Sequence, residues 1–169
     1  MKSLIVIIPL LFSTSQAATL TDITVEAVTK QIQQQGAKQF ISEMPDAPGG
    51  KWHSIMQHIA SGNASWLSLV PLLAPEVDAG FADDLATSLA EAIPANVEGV
   101  MSAIDDYHHP VSTQSVCAMP LYTRSVAEQN DYVVKAIQAL YKSKSAQAMK
   151  CLNQLVSMVG QSSTFREAN

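Results

Sequence analysis

Apolar positions recur along this chain at helical intervals and nowhere sustain an alternation at period two, so every predicted element is a helix. Val25, Val28 and Ile32 begin the first, with Asp22 as its expected cap, and Phe40, Ile41 and Met44 carry the stripe past a weakening Gly36. The run PDAPGG, residues 45–50, ends it, because proline and glycine are poorly tolerated inside a helix. Trp52, Ile55, Met56 and Ile59 form the next stripe, which stops at Gly62. Asn63 can cap a following helix that bears Trp66, Leu67, Leu69 and Val70, and Pro71 should kink or shorten it. A connection this short predicts an antiparallel hairpin.

The pattern then repeats in kind. Asp78 can cap a helix carrying Leu85, Leu89, Ala92 and Ile93; Pro94 breaks it, and Val97, Val100, Met101 and Ile104 resume. Two hairpins in succession predict a compact all-α domain, a HEAT-like stack of short antiparallel helix pairs, although the sequence shows no internal repeat. Residues 111–124 are the least regular stretch and read as a loop. Ser125 followed by Glu128 matches a capping box, opening a helix expected to bury Val133, Ile137, Leu140 and Tyr141. After the polar turn KSKSA, a last helix carries Leu152, Leu155, Val156 and Val159. The low aromatic content, 6%, agrees with helix rather than strand.

The first residues change the picture of where such a domain works. Lys2, the unbroken apolar run of residues 4–12, and the small residues Ser15 and Ala17 have the layout of a secretory signal. The apolar run is shorter than the roughly 20 residues a membrane span needs. We therefore expect a signal peptide at residues 1–17, a single helical domain at 18–160 and a frayed tail at 161–169, with the mature chain soluble in the periplasm or secreted. An oxidising compartment suits one disulfide between Cys117 and Cys151, the two cysteines of the chain. A reactive thiol or a metal-binding pair is the rival account. No C-x-x-C spacing supports a redox site.

Charge is unevenly spread. Residues 18–106 hold twelve acids and three bases, whereas residues 107–169 hold three acids and six bases. Between Glu76 and Asp106 there are eight acids and no Lys or Arg. Asp84 and Glu91 are seven apart, as are Glu98 and Asp105, so each pair is expected to share a helix face. The plainer account is a solvated face, or one paired with Lys135, Lys142 and Lys150. The sharper account is a surface that receives a basic protein, since such fields steer association. Its candidate contact residues are Glu76, Asp78, Asp83, Asp84, Glu91 and Glu98. Nucleic acid or anionic lipid would need the opposite sign.

DDYHHP, residues 105–110, is the stretch that most resembles chemistry. His108 and His109 are weak metal candidates: neighbours on a helix point about 100° apart and converge only in an irregular loop. A helix end with dipole-compatible histidines explains them as well, although Asp105 and Asp106 oppose that dipole. His53 and His58 are five apart without the glutamate of a zinc helix. No G-x-S-x-G, supported S-x-x-K or glycine-rich phosphate loop occurs. Trp52 and Trp66 fit a core, or a ligand groove. No catalytic constellation and no cofactor motif emerges, and the chain is expected not to be an enzyme.

The stretches SVCAMPLYTRSVAEQNDYVVKAIQALYKSKSAQAMKCLNQL and WHSIMQHIASGNASWLSLVPLLAPEVDAG resemble uncharacterised small exported all-helical proteins of Gram-negative bacteria. The shared features are a Trp–Ile–Gly–Trp–Leu helix pair, the acidic turn DAG, and Cys-x-x-Pro followed by a helix and Cys-Leu. In kind, a small periplasmic helical protein with one disulfide and an acidic face is also similar to immunity proteins, which neutralise toxins from neighbouring cells. That likeness implies a periplasmic protein-binding module, an immunity-type inhibitor whose target would be a cell-wall-degrading enzyme, acting through its acidic surface without catalysis. The alternative is a small-ligand or metal-binding periplasmic protein.

Overall fold

The computed structural model describes residues 23–44 and 48–161; the expected signal peptide, the Asp22 cap and residues 162–169 of the expected tail lie outside them. The described residues form helices α1 (Val25–Gln35), α2 (Ala37–Ser42), α3 (Lys51–Ala60), α4 (Ala64–Leu67), α5 (Val70–Leu73), α6 (Ala79–Ala92) and α7 (Val97–Ala103). A 3-10 turn, His109–Val111, then leads into α8 (Thr113–Cys117), α9 (Val126–Lys142) and α10 (Ala146–Gln161). No strand occurs among them, and no helix is long and apolar enough to cross a membrane.

The N-terminal cap is Thr24, whose hydroxyl accepts from the Ala27 N–H. Gly36, at φ 83°, separates α1 from α2, so the stripe expected to run on is broken where the backbone leaves the helical region. Pro71 sits in the first turn of α5, where its missing N–H costs nothing, and the expected kink is a complete break between α4 and α5. The chain predicted as a loop after Pro110 contains α8. Ser112 caps it by accepting from the Ser115 N–H at 3.1 Å. A five-residue helix is too short to show periodicity.

Helix α6 is the centre of the molecule. Leu85, Leu89, Ala90, Ala92 and Ile93 have no exposed surface, and α6 packs against α3, α7, α8 and the 3-10 turn. Its most extensive pairing is with α3, an element two helices distant rather than a sequence neighbour. Ala86, Ser88 and Ala90 are buried and small, which lets neighbouring backbones approach closely. By contrast, α9 and α10 pack on each other across residues 143–145. Tyr141, expected inside, is 76% exposed; Tyr132 takes the inward place with Val133, Ala136 and Leu140. Val156 likewise lies outside the apolar face of α10, at 50% exposure.

The end of α3 and the start of α7 share one polar tie. The Asn96 side-chain amide donates to the Gly62 carbonyl at 2.8 Å, while its oxygen accepts from the Gly99 N–H at 2.9 Å. Gly62 is left-handed, at φ 76°, and an added Cβ would lie 3.0 Å from the Ala95 Cβ. Gly62→Ala should therefore lose about 1–2 kcal/mol of stability, the cost of the left-handed region for an L residue. A urea midpoint unchanged within error would refute that expectation.

Candidate functional site: the acidic surface and the α3–α6 cleft

The acids of residues 76–106 divide into two groups. Glu76, Asp78 and Asp83 are exposed, and their carboxylates form no hydrogen bond or ion pair within the described residues. Asp78 occupies the N-cap position of α6, yet its side chain makes no capping bond. The others are tethered. Asp84 Oδ2 accepts from the Trp52 indole N–H at 3.0 Å. Glu91 Oε1 accepts from Arg124 Nε at 2.8 Å and Nη2 at 2.6 Å. Glu98 Oε1 accepts from the Ser143 hydroxyl at 2.6 Å.

Among the described residues, none of the lysines expected to neutralise this face forms an ion pair with it, although the Lys150 charge acts on Asp106. Lys135 binds Asp131 one turn back on its own helix, at 2.6 Å. The expected sharing of a face by Glu98 and Asp105 also fails, because α7 ends at Ala103 and Asp105 belongs to the following turn. Asp84 and Glu91 do converge, along one side of a cleft.

That cleft, about 340 Å³, lies between α3 and α6 and is lined as well by Thr123 and Arg124. His53, Met56, Gln57 and Ala60 form the α3 wall; Asp84, Thr87, Ser88 and Glu91 form the α6 wall. The strap of residues 118–125 is lashed down by four contacts: Thr87 donates to the Pro120 carbonyl at 2.8 Å, Gln129 donates to the Leu121 and Arg124 carbonyls, and Arg124 grips Glu91. The Tyr132 hydroxyl is buried and has no hydrogen-bond partner among the described residues. Burial first, and then the Glu91 carboxylate, push its pKa up. Trp52 and Trp66 belong to the core: Trp52 meets Phe81 edge-on at 4.9 Å, and Trp66 stacks under the His58 ring at 4.4 Å.

DDYHHP forms a tight turn. Asp105 Oδ1 accepts from the Tyr107 N–H and Oδ2 lies 2.9 Å from His108 Nδ1. Asp106 accepts from the Thr113 N–H at 2.8 Å, and so begins α8. His109 stands beside Ser115, which donates to its carbonyl at 2.6 Å. The two imidazoles thus have separate neighbours, and among the described residues no three His, Cys, Asp or Glu side chains are grouped to hold a metal. The Tyr107 N–H, and next His108, hold the Asp105 carboxyl below the ordinary aspartate range. The Thr113 N–H does the same for Asp106. A depressed folded pKa stabilises the turn above the unfolded value, and that contribution is lost as pH falls through the folded value. Proton titration followed at the Tyr107 and Thr113 amides should therefore show midpoints below those of an unstructured aspartate; ordinary midpoints would remove these bonds from solution.

No protein family, curated protein or solved structure matches the chain. The site therefore rests on its own geometry.

Cys117 and Cys151 are joined, with Cα atoms 5.2 Å apart, and link α8 to α10. The rival accounts of these cysteines, a free thiol or a metal pair, are thereby removed. Sequence reasoning missed Trp52, Arg124 and Ser143 as partners of Asp84, Glu91 and Glu98. Arg124 and Glu91 are 33 positions apart with no local pattern joining them.

Proposed function

We propose that the chain is a periplasmic protein-binding module, an immunity-type inhibitor of a toxin, with a cell-wall-degrading enzyme as its target and no catalysis of its own. The observation that supports this reading is the sorting of the carboxylates. Where an acidic face only balances neighbouring lysines, its charges are paired within the fold; here Glu76, Asp78 and Asp83 stand exposed at the α5–α6 corner with no basic residue between positions 76 and 106. Unpaired exposed charge of one sign suits recognition of a basic protein and rapid, salt-dependent encounter. The scaffold is read as a compact helical stack, HEAT-like in its α9–α10 hairpin, with α3 crossing to α6.

A second reading, a small-ligand periplasmic protein, is favoured by the polar cleft between α3 and α6. The two are separated by affinity capture from periplasmic extract at low and raised salt, using the wild-type protein and the variant E76Q/D78N/D83N. A basic protein retained at low salt, released at raised salt and lost with the variant supports the inhibitor reading, because exposed charges are screened over about 8–10 Å. Retention indifferent to both salt and variant overturns it.

A further inference from the structure

The α6 wall of the α3–α6 cleft is chemically one-sided. The Thr87 hydroxyl has spent its hydrogen on the Pro120 carbonyl and the Ser88 hydroxyl on the Asp84 carbonyl, so each can offer a ligand only lone pairs. Asp84 uses Oδ2 for the Trp52 indole, and Glu91 uses Oε1 for both Arg124 contacts. Among the described residues no bond forms to Asp84 Oδ1 or Glu91 Oε2. The α6 wall is therefore a row of acceptors over two turns, carrying two negative charges against the single positive charge of Arg124. Across from it, Met56 and Ala60 supply apolar surface, while His53 and Gln57 meet each other at 2.9 Å through Nε2 of each side chain.

We propose that this cleft is the anchor pocket for a Lys or Arg side chain projected by the partner protein. The proposal rests on the protein-binding reading above and names the main contact. Acceptor oxygens with net negative charge select a donor-only cation, which describes ammonium and guanidinium groups. The apolar surface suits the methylene stem that such side chains bury while their charge stays with polar groups. At about 340 Å³ the space lies at the small end of ligand pockets, matching one side chain rather than a large cofactor. The fold already supplies a precedent, since the Arg124 guanidinium is held in the cleft lining by Glu91. Asp84 is also fixed in advance by the Trp52 indole, so little order is lost when a cation arrives.

The test is titration of the disulfide-intact protein with Nα-acetylarginine amide, read by amide chemical shifts, alongside its uncharged citrulline counterpart. Saturable shifts should appear at His53, Thr87, Ser88 and Glu91 with the arginine probe and be absent with citrulline. Asp84→Asn keeps an oxygen for the indole but removes the charge, and should weaken binding about tenfold, in line with loss of one charge-assisted hydrogen bond. Arg124→Ala, which removes the internal competitor, should strengthen it about twofold to fivefold, the range of an exposed ion pair. Equal binding of citrulline, or no saturable shift at the cleft, overturns the proposal. If the arginine probe instead shifts only the α5–α6 corner and that response disappears in E76Q/D78N/D83N, the anchor assignment falls while the acidic-surface reading stands. No response to the arginine probe at either place, together with salt-indifferent capture, overturns both.

Discussion

Changing Cys117 and Cys151 together to Ala should lower the unfolding free energy by about 3–4 kcal/mol. The bridge closes a loop of 34 residues, and the chain-entropy model assigns a loss of that size when the unfolded chain is released from such a loop. Both cysteines are fully buried, so reductant acts on the folded protein only through opening. Urea unfolding of the double variant, and of wild type with and without reductant in the denatured state, measures the effect. A loss below about 1 kcal/mol would mean that the packing between α8 and α10 holds without the covalent link, and that the loop-closure argument overstates its role here.

Leu89→Ala should cost a comparable amount, about 2–5 kcal/mol, the range for a large-to-small change at a fully buried leucine. Leu89 has no exposed surface and lies on α6, the helix that α3, α7, α8 and the 3-10 turn all touch. Neighbours held on several sides cannot all move in to fill the space, which places the expected value in the upper half of that range. Val134→Ala, on the outer face of α9 at 55% exposure, should stay within about 0.5 kcal/mol of wild type. Equal urea midpoints for the two variants would contradict the central place given to α6.

The helices most readable in the sequence were those with long stripes and explicit stops. In α3, all four of Trp52, Ile55, Met56 and Ile59 are buried as the spacing implied, and Gly62 ends the helix in the left-handed conformation that only glycine adopts freely. The Ser125–Glu128 capping box forms in full. Pairing of the helices was not readable, because periodicity says which face is apolar but not which partner covers it. Hence α3 meets α6 across two intervening helices. The inward face of α9 differs from expectation at Tyr141 for a related reason: a tyrosine at a helix end is compatible with either side, and Tyr132, nearer the start of the helix, is the one buried.

At the candidate site, composition alone exposed the excess of acid between residues 76 and 106, and the seven-residue spacing of Asp84 and Glu91 placed both on one wall. What the spacing left open was which carboxylates remain unpaired. Trp52, Arg124 and Ser143 reach Asp84, Glu91 and Glu98 over separations of 32, 33 and 45 residues, distances at which only tertiary packing decides. DDYHHP showed the converse. Its concentration of polar groups is explained locally, by carboxylates that accept from backbone N–H groups and, at Asp105, pair with the His108 imidazole in a turn between α7 and α8.

The bridge also has a bearing on motion. From Cys117 the chain runs through the strap and the whole of α9 and returns along α10 to Cys151, so α9 is a segment of a covalent ring rather than a link in an open thread. Were α9 to swing out of place, α8 and the first turns of α10 would stay side by side, and the search back to the docked state would be confined to a small volume. The Arg124–Glu91 and Ser143–Glu98 contacts sit near the two ends of that segment, which makes them its latches.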